Sequence, residues 1–104
     1  MKIRLTFSAL ALLAIAGTTH AQGVSPQQAR SWAAGCANCH GTQGKGVSEG
    51  SVPGLAGLKA DYIEAQMKAF KSGERPATIM HQLSKGYSDE QIRLLATYFA
   101  SQKP

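Results

Sequence analysis

The sequence predicts an all-α fold. Three observations carry this prediction. Two Ser-x-x-Gln capping signatures stand at Ser25–Gln28 and Ser88–Gln91. Apolar residues recur at spacings of three and four in the second half of the chain, each run closed or opened by a helix-terminating or capping residue. No stretch alternates polar and apolar residues as a half-buried strand would.

Residues 1–21 read as a cleaved secretory signal peptide. Lys2 and Arg4 give a positive start, Leu5 to Ala16 is apolar, and Gly17-Thr18-Thr19-His20-Ala21 offers a small-residue cleavage site. The apolar run is about a dozen residues, short of the ~20 that span a bilayer, so no stable membrane insertion is expected. The expected product, residues 22–104, is one small domain in the periplasm. Its formal charge drops from the +5 of the full chain to +3, with nine Lys and Arg against six Asp and Glu. The excess is spread out, without a basic run or interleaved aromatics, which argues against nucleic acid as a partner. A chain this short needs a staple beyond its core.

Ser25 caps the first helix, Pro26 takes its first position, and Gln28 completes the capping box. The helix is expected to run through Trp32 towards Cys36 and Cys39. Gly41 to Gly57 follows as a glycine-rich loop without regular structure, suited to wrapping closely around another group. A second helix is expected over Asp61–Ser72, with Ile63, Met67 and Phe70 on one face, Glu64 and Lys68 as an i,i+4 pair, and Gly73 as terminator. Thr78 is the expected cap of a short helix, Ile79–Lys85, closed by Gly86. Ser88 opens the last helix, in which Ile92, Leu95, Ala96 and Phe99 form an apolar stripe.

The staple is found in Gly35-Cys36-Ala37-Asn38-Cys39-His40-Gly41, which holds the only two cysteines. A disulfide so short closes a tiny loop and stabilises little. Zinc lacks ligands, since His40 adjoins Cys39 and only His81 remains after the leader. A thiol redox pair belongs at a βα junction that this sequence lacks. What remains is covalent attachment of one haem c, the meaning of Cys-x-x-Cys-His: Cys36 and Cys39 form thioethers with the vinyl groups and His40 ligates the iron.

The second axial ligand must come from Met67, Met80 or His81. Met67 lies on an apolar helix face and reads as core filler. Met80 follows an irregular stretch far from the cysteines and is the preferred ligand, with His81 beside it pointing elsewhere. Histidine–methionine ligation saturates the iron, favours the ferrous state and suits one-electron transfer rather than catalysis. The ring nitrogen of His40 that faces away from iron needs an acceptor, and the Pro53 carbonyl in the glycine-rich loop is a candidate.

The residues CANCHG, VPGLAGL, ATIM and the terminal LSKGYSDEQIRLLATYFASQKP resemble a class I c-type cytochrome over essentially the whole of residues 22–104. The resemblance implies crossed N- and C-terminal helices, further short helices and a glycine-rich loop wrapped around one covalent haem. It also implies Cys36, Cys39, His40 and Met80 as haem-binding residues and Pro53 as the carbonyl partner of His40. The family's first helix commonly carries a small residue and an aromatic at the crossing; here only Ala29, Trp32 and Ala33 are available. The segment YIEAQMKAFKSGERPATIMHQLSKGYSDEQIRLLATYFASQ is similar to the haem subunits of flavocytochrome c sulfide dehydrogenases. That similarity implies an FAD-containing sulfide dehydrogenase subunit as electron donor. The alternative is a freestanding carrier to a terminal oxidase or reductase, and a third reading is a haem enzyme or gas sensor with an open iron site. A stable subunit should expose apolar surface near the haem edge, a shuttle a ring of lysines. Lys45, Lys59, Lys68, Lys71 and Lys85 read by default as solvated charge.

Overall fold

A computed structural model describes residues 23–104; the expected leader, residues 1–21, lies outside the described residues. The described chain holds four helices: α1 (Pro26–His40), α2 (Ala60–Ser72), α3 (Met80–Lys85) and α4 (Asp89–Ala100), with a 3-10 turn at Thr42–Gly44. No strand occurs among the described residues.

Both capping boxes form. Ser25 accepts from the Gln28 backbone N–H while the Gln28 side chain takes the Ser25 N–H, and Ser88 and Gln91 repeat the arrangement at α4. Each box satisfies two donors that a helix start otherwise leaves bare. Gly73, at φ 85°, ends α2 in the left-handed region as expected. Thr78 does not cap α3. The cap position is Ile79, which makes no side-chain cap bond, so the helix starts one residue later than the sequence suggests. The loop expected to lack regular structure holds the single 3-10 turn, with Gln43 in a left-handed conformation at φ 56°.

The core is small and built from helix faces. Ala29 and Ala33 on α1, Ile63 on α2, and Ile92, Leu95, Ala96 and Phe99 on α4 are all buried. α1 and α2 both pack on α4, and α3 packs on α2. Small residues at 29 and 33, one turn apart, give α1 a shallow face, and Ala33 shares a cluster with Leu95, Ala96 and Phe99. Removing Ile92 and Leu95 from water contributes about 1.5–3 kcal/mol each. Trp32, Cys36, Met67 and Tyr87 pack half-buried around this cluster, Met67 thus filling the core as expected. α4 therefore forms the floor from which α1 holds the cysteines and α2 supports α3.

Candidate functional site

α1 delivers its chemistry in its last turn. Cys36 and Cys39 are both free thiols three residues apart, so they stand on one side of the helix about a turn from each other. Cys36 is half-buried against the core and Cys39 is exposed. Burial pushes the Cys36 thiol above its ordinary value, a backbone hydrogen bond draws it partly down, and the neighbouring Cys39 raises it again. Reactive redox cysteines have the opposite tendency, a depressed value that favours thiolate. Cys36 thus differs from a redox-active thiol.

His40 is the last residue of α1 and is buried. Its Nδ1 lies 2.7 Å from the carbonyl oxygen of Pro53. A carbonyl only accepts, so Nδ1 carries the proton and donates. In the neutral ring this leaves Nε2 with its lone pair, the form in which imidazole binds a metal.

The glycine-rich loop brings Pro53 there. The Gly46 N–H donates to the His40 carbonyl at 2.7 Å, and the Gly41 carbonyl accepts from Gly44 at 2.9 Å. The Gly44 carbonyl then accepts from both Leu55 and Ala56, at 2.6 and 2.9 Å. Gly57 donates to the Phe99 carbonyl at 3.0 Å, fixing the end of the loop to α4. Glycine is needed at Gly41 and Gly44 in particular. At Gly41 (φ 81°) an added Cβ would fall 2.1 Å from the Gly46 carbonyl oxygen, and at Gly44 (φ 74°) 2.7 Å from the Phe99 ring.

Met80 opens α3 and is half-buried, on a helix that packs against α2. Ile79 and Leu83, on either side of it, are 55% and 48% exposed. The Nδ1 of His81 and the hydroxyl of the fully buried Ser84 have no hydrogen-bond partner. Thus the structure brings His40 and Pro53 together as expected, with Cys36 and Cys39 on the turn leading to His40, and places Met80 on a separate, short helix. Among the described residues no three His, Cys, Asp or Glu side chains cluster as a metal site would require. The donor set instead fits a haem held covalently: two free thiols at helical spacing, then an imidazole with Nδ1 committed and Nε2 available.

Two of the five lysines are not merely solvated. Lys68 pairs with Glu64 at 2.6 Å on the exposed face of α2. Lys71 donates to the Tyr87 carbonyl at 2.7 Å and lies 3.2 Å from Asp89. The second of these contacts spans sixteen to eighteen residues and had no signal in the sequence beyond a cation in the last turn of a helix.

Comparison with known proteins agrees with the donor set. The family described as "Cytochrome c" matches residues 27–103. The cytochrome subunit of sulfide dehydrogenase from Chlorobaculum tepidum is 42% identical over 66 residues, which cover 64% of this chain and 58% of that protein. Cytochrome c-554(548) from Halomonas halodenitrificans is 39% identical over 71 residues, covering 65% of this chain and 84% of that one. The solved structure of Acidithiobacillus ferrooxidans cytochrome c4 superposes with a TM-score of 0.60 at 38% identity, over 64% of this chain and 37% of that chain. The match thus spans less than two thirds of both the Chlorobaculum subunit and the solved cytochrome c4 chain.

Proposed function

From the premise that this chain belongs to the cytochrome c family, we propose that it is the haem subunit of a flavocytochrome c sulfide dehydrogenase, accepting electrons singly from an FAD-bearing partner. The coarser part is shown by the family match: the chain is a cytochrome c, an electron-transfer protein whose cofactor is covalent haem c.

In this reading Cys36 and Cys39 would hold the haem through thioethers, and His40 and Met80 would supply its protein ligands. The observation that carries the assignment is the 2.7 Å contact of His40 Nδ1 with the Pro53 carbonyl, on the turn that carries both free thiols. Pro53 orients the imidazole and strengthens Nε2 as a donor. When bound, the haem supplies the one-electron couple. The chain's own part is to orient His40, to keep a soft thioether at Met80, and to bury one side of the attachment turn in its core. With His40 and Met80 both engaged, the site would favour one-electron transfer over substrate binding.

Support for the subunit role comes from the Chlorobaculum relative and from the surface. Lys68 and Lys71 are engaged within the chain, which thins the lysine ring a shuttle would present. The second reading, a freestanding carrier, is favoured by the 39% identity to a thiosulfate dehydrogenase electron acceptor from Thiomonas intermedia. Export to the periplasm belongs to both readings, and no described helix is long and apolar enough to cross a membrane.

Purification from the native periplasm separates the two. A co-purifying FAD protein, with sulfide reducing the haem only in its presence, is the expected result; a lone cytochrome that sulfide does not reduce through any flavoprotein would establish the carrier. For the ligand set, Met80→Ala is expected to abolish the far-red sulfur–iron charge-transfer band of the ferric protein. Persistence of that band would remove Met80 from the iron.

A further inference from the structure

Met80 lies in the part of the chain least able to support itself. α3 has six residues, where isolated helices of fewer than about 12 are marginal in water. Its cap position contributes no side-chain bond, and two of its buried polar atoms lack partners. The segment is nevertheless fixed, and the bonds that fix its two ends come from the last turns of α2.

Before Met80, the Arg75 N–H donates to the Ala69 carbonyl at 3.1 Å. The Arg75 guanidinium donates to Gln66 Oε1 and sits 4.6 Å from the centre of the Phe70 ring. After Met80, Lys71 Nζ donates to the Tyr87 carbonyl at 2.7 Å and to Asp89 Oδ1 at 3.2 Å. Residues 66, 69, 70 and 71 of one helix thus grip residues 75 and 87, and Met80 hangs between the two grips.

We propose that Lys71 is a positioning residue for the methionine-side axial bond, closing the far end of a splint that α2 lays across the Met80 segment. The proposal rests on the reading of Met80 as axial ligand. The bond to the Tyr87 carbonyl has a charged donor and is partly buried, so it is of the stronger class. The contact with Asp89, whose side chain is 71% exposed, adds little. Tyr87 also packs against the core, and α4 keeps its own capping box. Losing Lys71 therefore loosens the segment locally, without unfolding the helices on which it rests.

The test uses the ferric holoprotein with Lys71→Met, Lys71→Arg and Asp89→Asn. Free imidazole competes with Met80 for iron, and its apparent affinity rises in proportion to the fraction of molecules in which Met80 has let go. Lys71→Met is expected to bind imidazole about tenfold more tightly, equivalent to about 1.4 kcal/mol. Its unfolding free energy, read from loss of helix in denaturant, should fall by less than that. Lys71→Arg keeps a donor and should recover most of the wild-type value, and Asp89→Asn should resemble wild type. Unchanged imidazole affinity in Lys71→Met overturns the proposal, as does a rise matched by an equal loss of global stability. The two assignments fail separately. A far-red band that survives Met80→Ala removes the ligand reading, whereas its loss together with an unaltered Lys71→Met removes only the splint.

Discussion

Around His40 the chain is fastened backbone to backbone: Gly46 to His40, Gly44 to Gly41, Leu55 and Ala56 to Gly44, and finally the Pro53 carbonyl to the imidazole. Around Met80 one backbone bond, from Arg75 to Ala69, is joined by side chains: the Lys71 ammonium, the Arg75 guanidinium and the Phe70 ring. A backbone network can be broken only where a substitution alters the path of the chain, which means at its glycines. A side-chain network can be changed one residue at a time. The His40 side is accordingly the half set by the path of the chain, and the Met80 side is the half that single side-chain changes can tune.

The contrast can be broken most forcefully at Gly41. Gly41→Ala puts a Cβ into the Gly46 carbonyl at a positive φ, and the holoprotein should lose on the order of 3 kcal/mol in chemical denaturation. A loss under about 1 kcal/mol would mean that the loop re-forms by another path. A middle-sized effect of opposite sign is expected at Ser84. Its hydroxyl is buried and unpartnered, so Ser84→Ala should raise the unfolding free energy by about 1 kcal/mol in chemical denaturation. A destabilised Ser84→Ala would show that the hydroxyl has a partner, and α3 would then be less dependent on α2. The smallest effect belongs to Pro53→Ala. The carbonyl remains, so stability should change by under about 1 kcal/mol from loop entropy alone, and the absorption spectrum should stay as in wild type. A displaced spectrum would show that the proline ring, not the carbonyl, sets the imidazole.

What the sequence could disclose follows from the range of each interaction. Ser25–Gln28 and Ser88–Gln91 are complete within four residues, so both helix starts were readable and both formed. The stripe Ile92, Leu95, Ala96 and Phe99 was readable from period alone, and all four are buried. The contact of His40 with Pro53 was foreseen because ligand imidazoles need an acceptor and the loop is rich in glycine. Thr78 failed as a cap because Ile79 takes the cap position itself. The grip of Lys71 on Tyr87 was hidden for a different reason. It depends on how α2 and α3 pack, and a lysine in a last helical turn looks the same whether it faces water or a carbonyl.

The two capping boxes have one further consequence. Their third residue is glutamine, Gln28 and Gln91, where glutamate serves elsewhere. An amide does not titrate, so neither clasp opens when the medium turns acid. The Ser88–Gln91 bonds, like those of Ser25–Gln28, join a hydroxyl, an amide and backbone N–H groups only. The first and last helices, which carry the attachment turn and the floor of the core, are thus started by contacts indifferent to proton concentration.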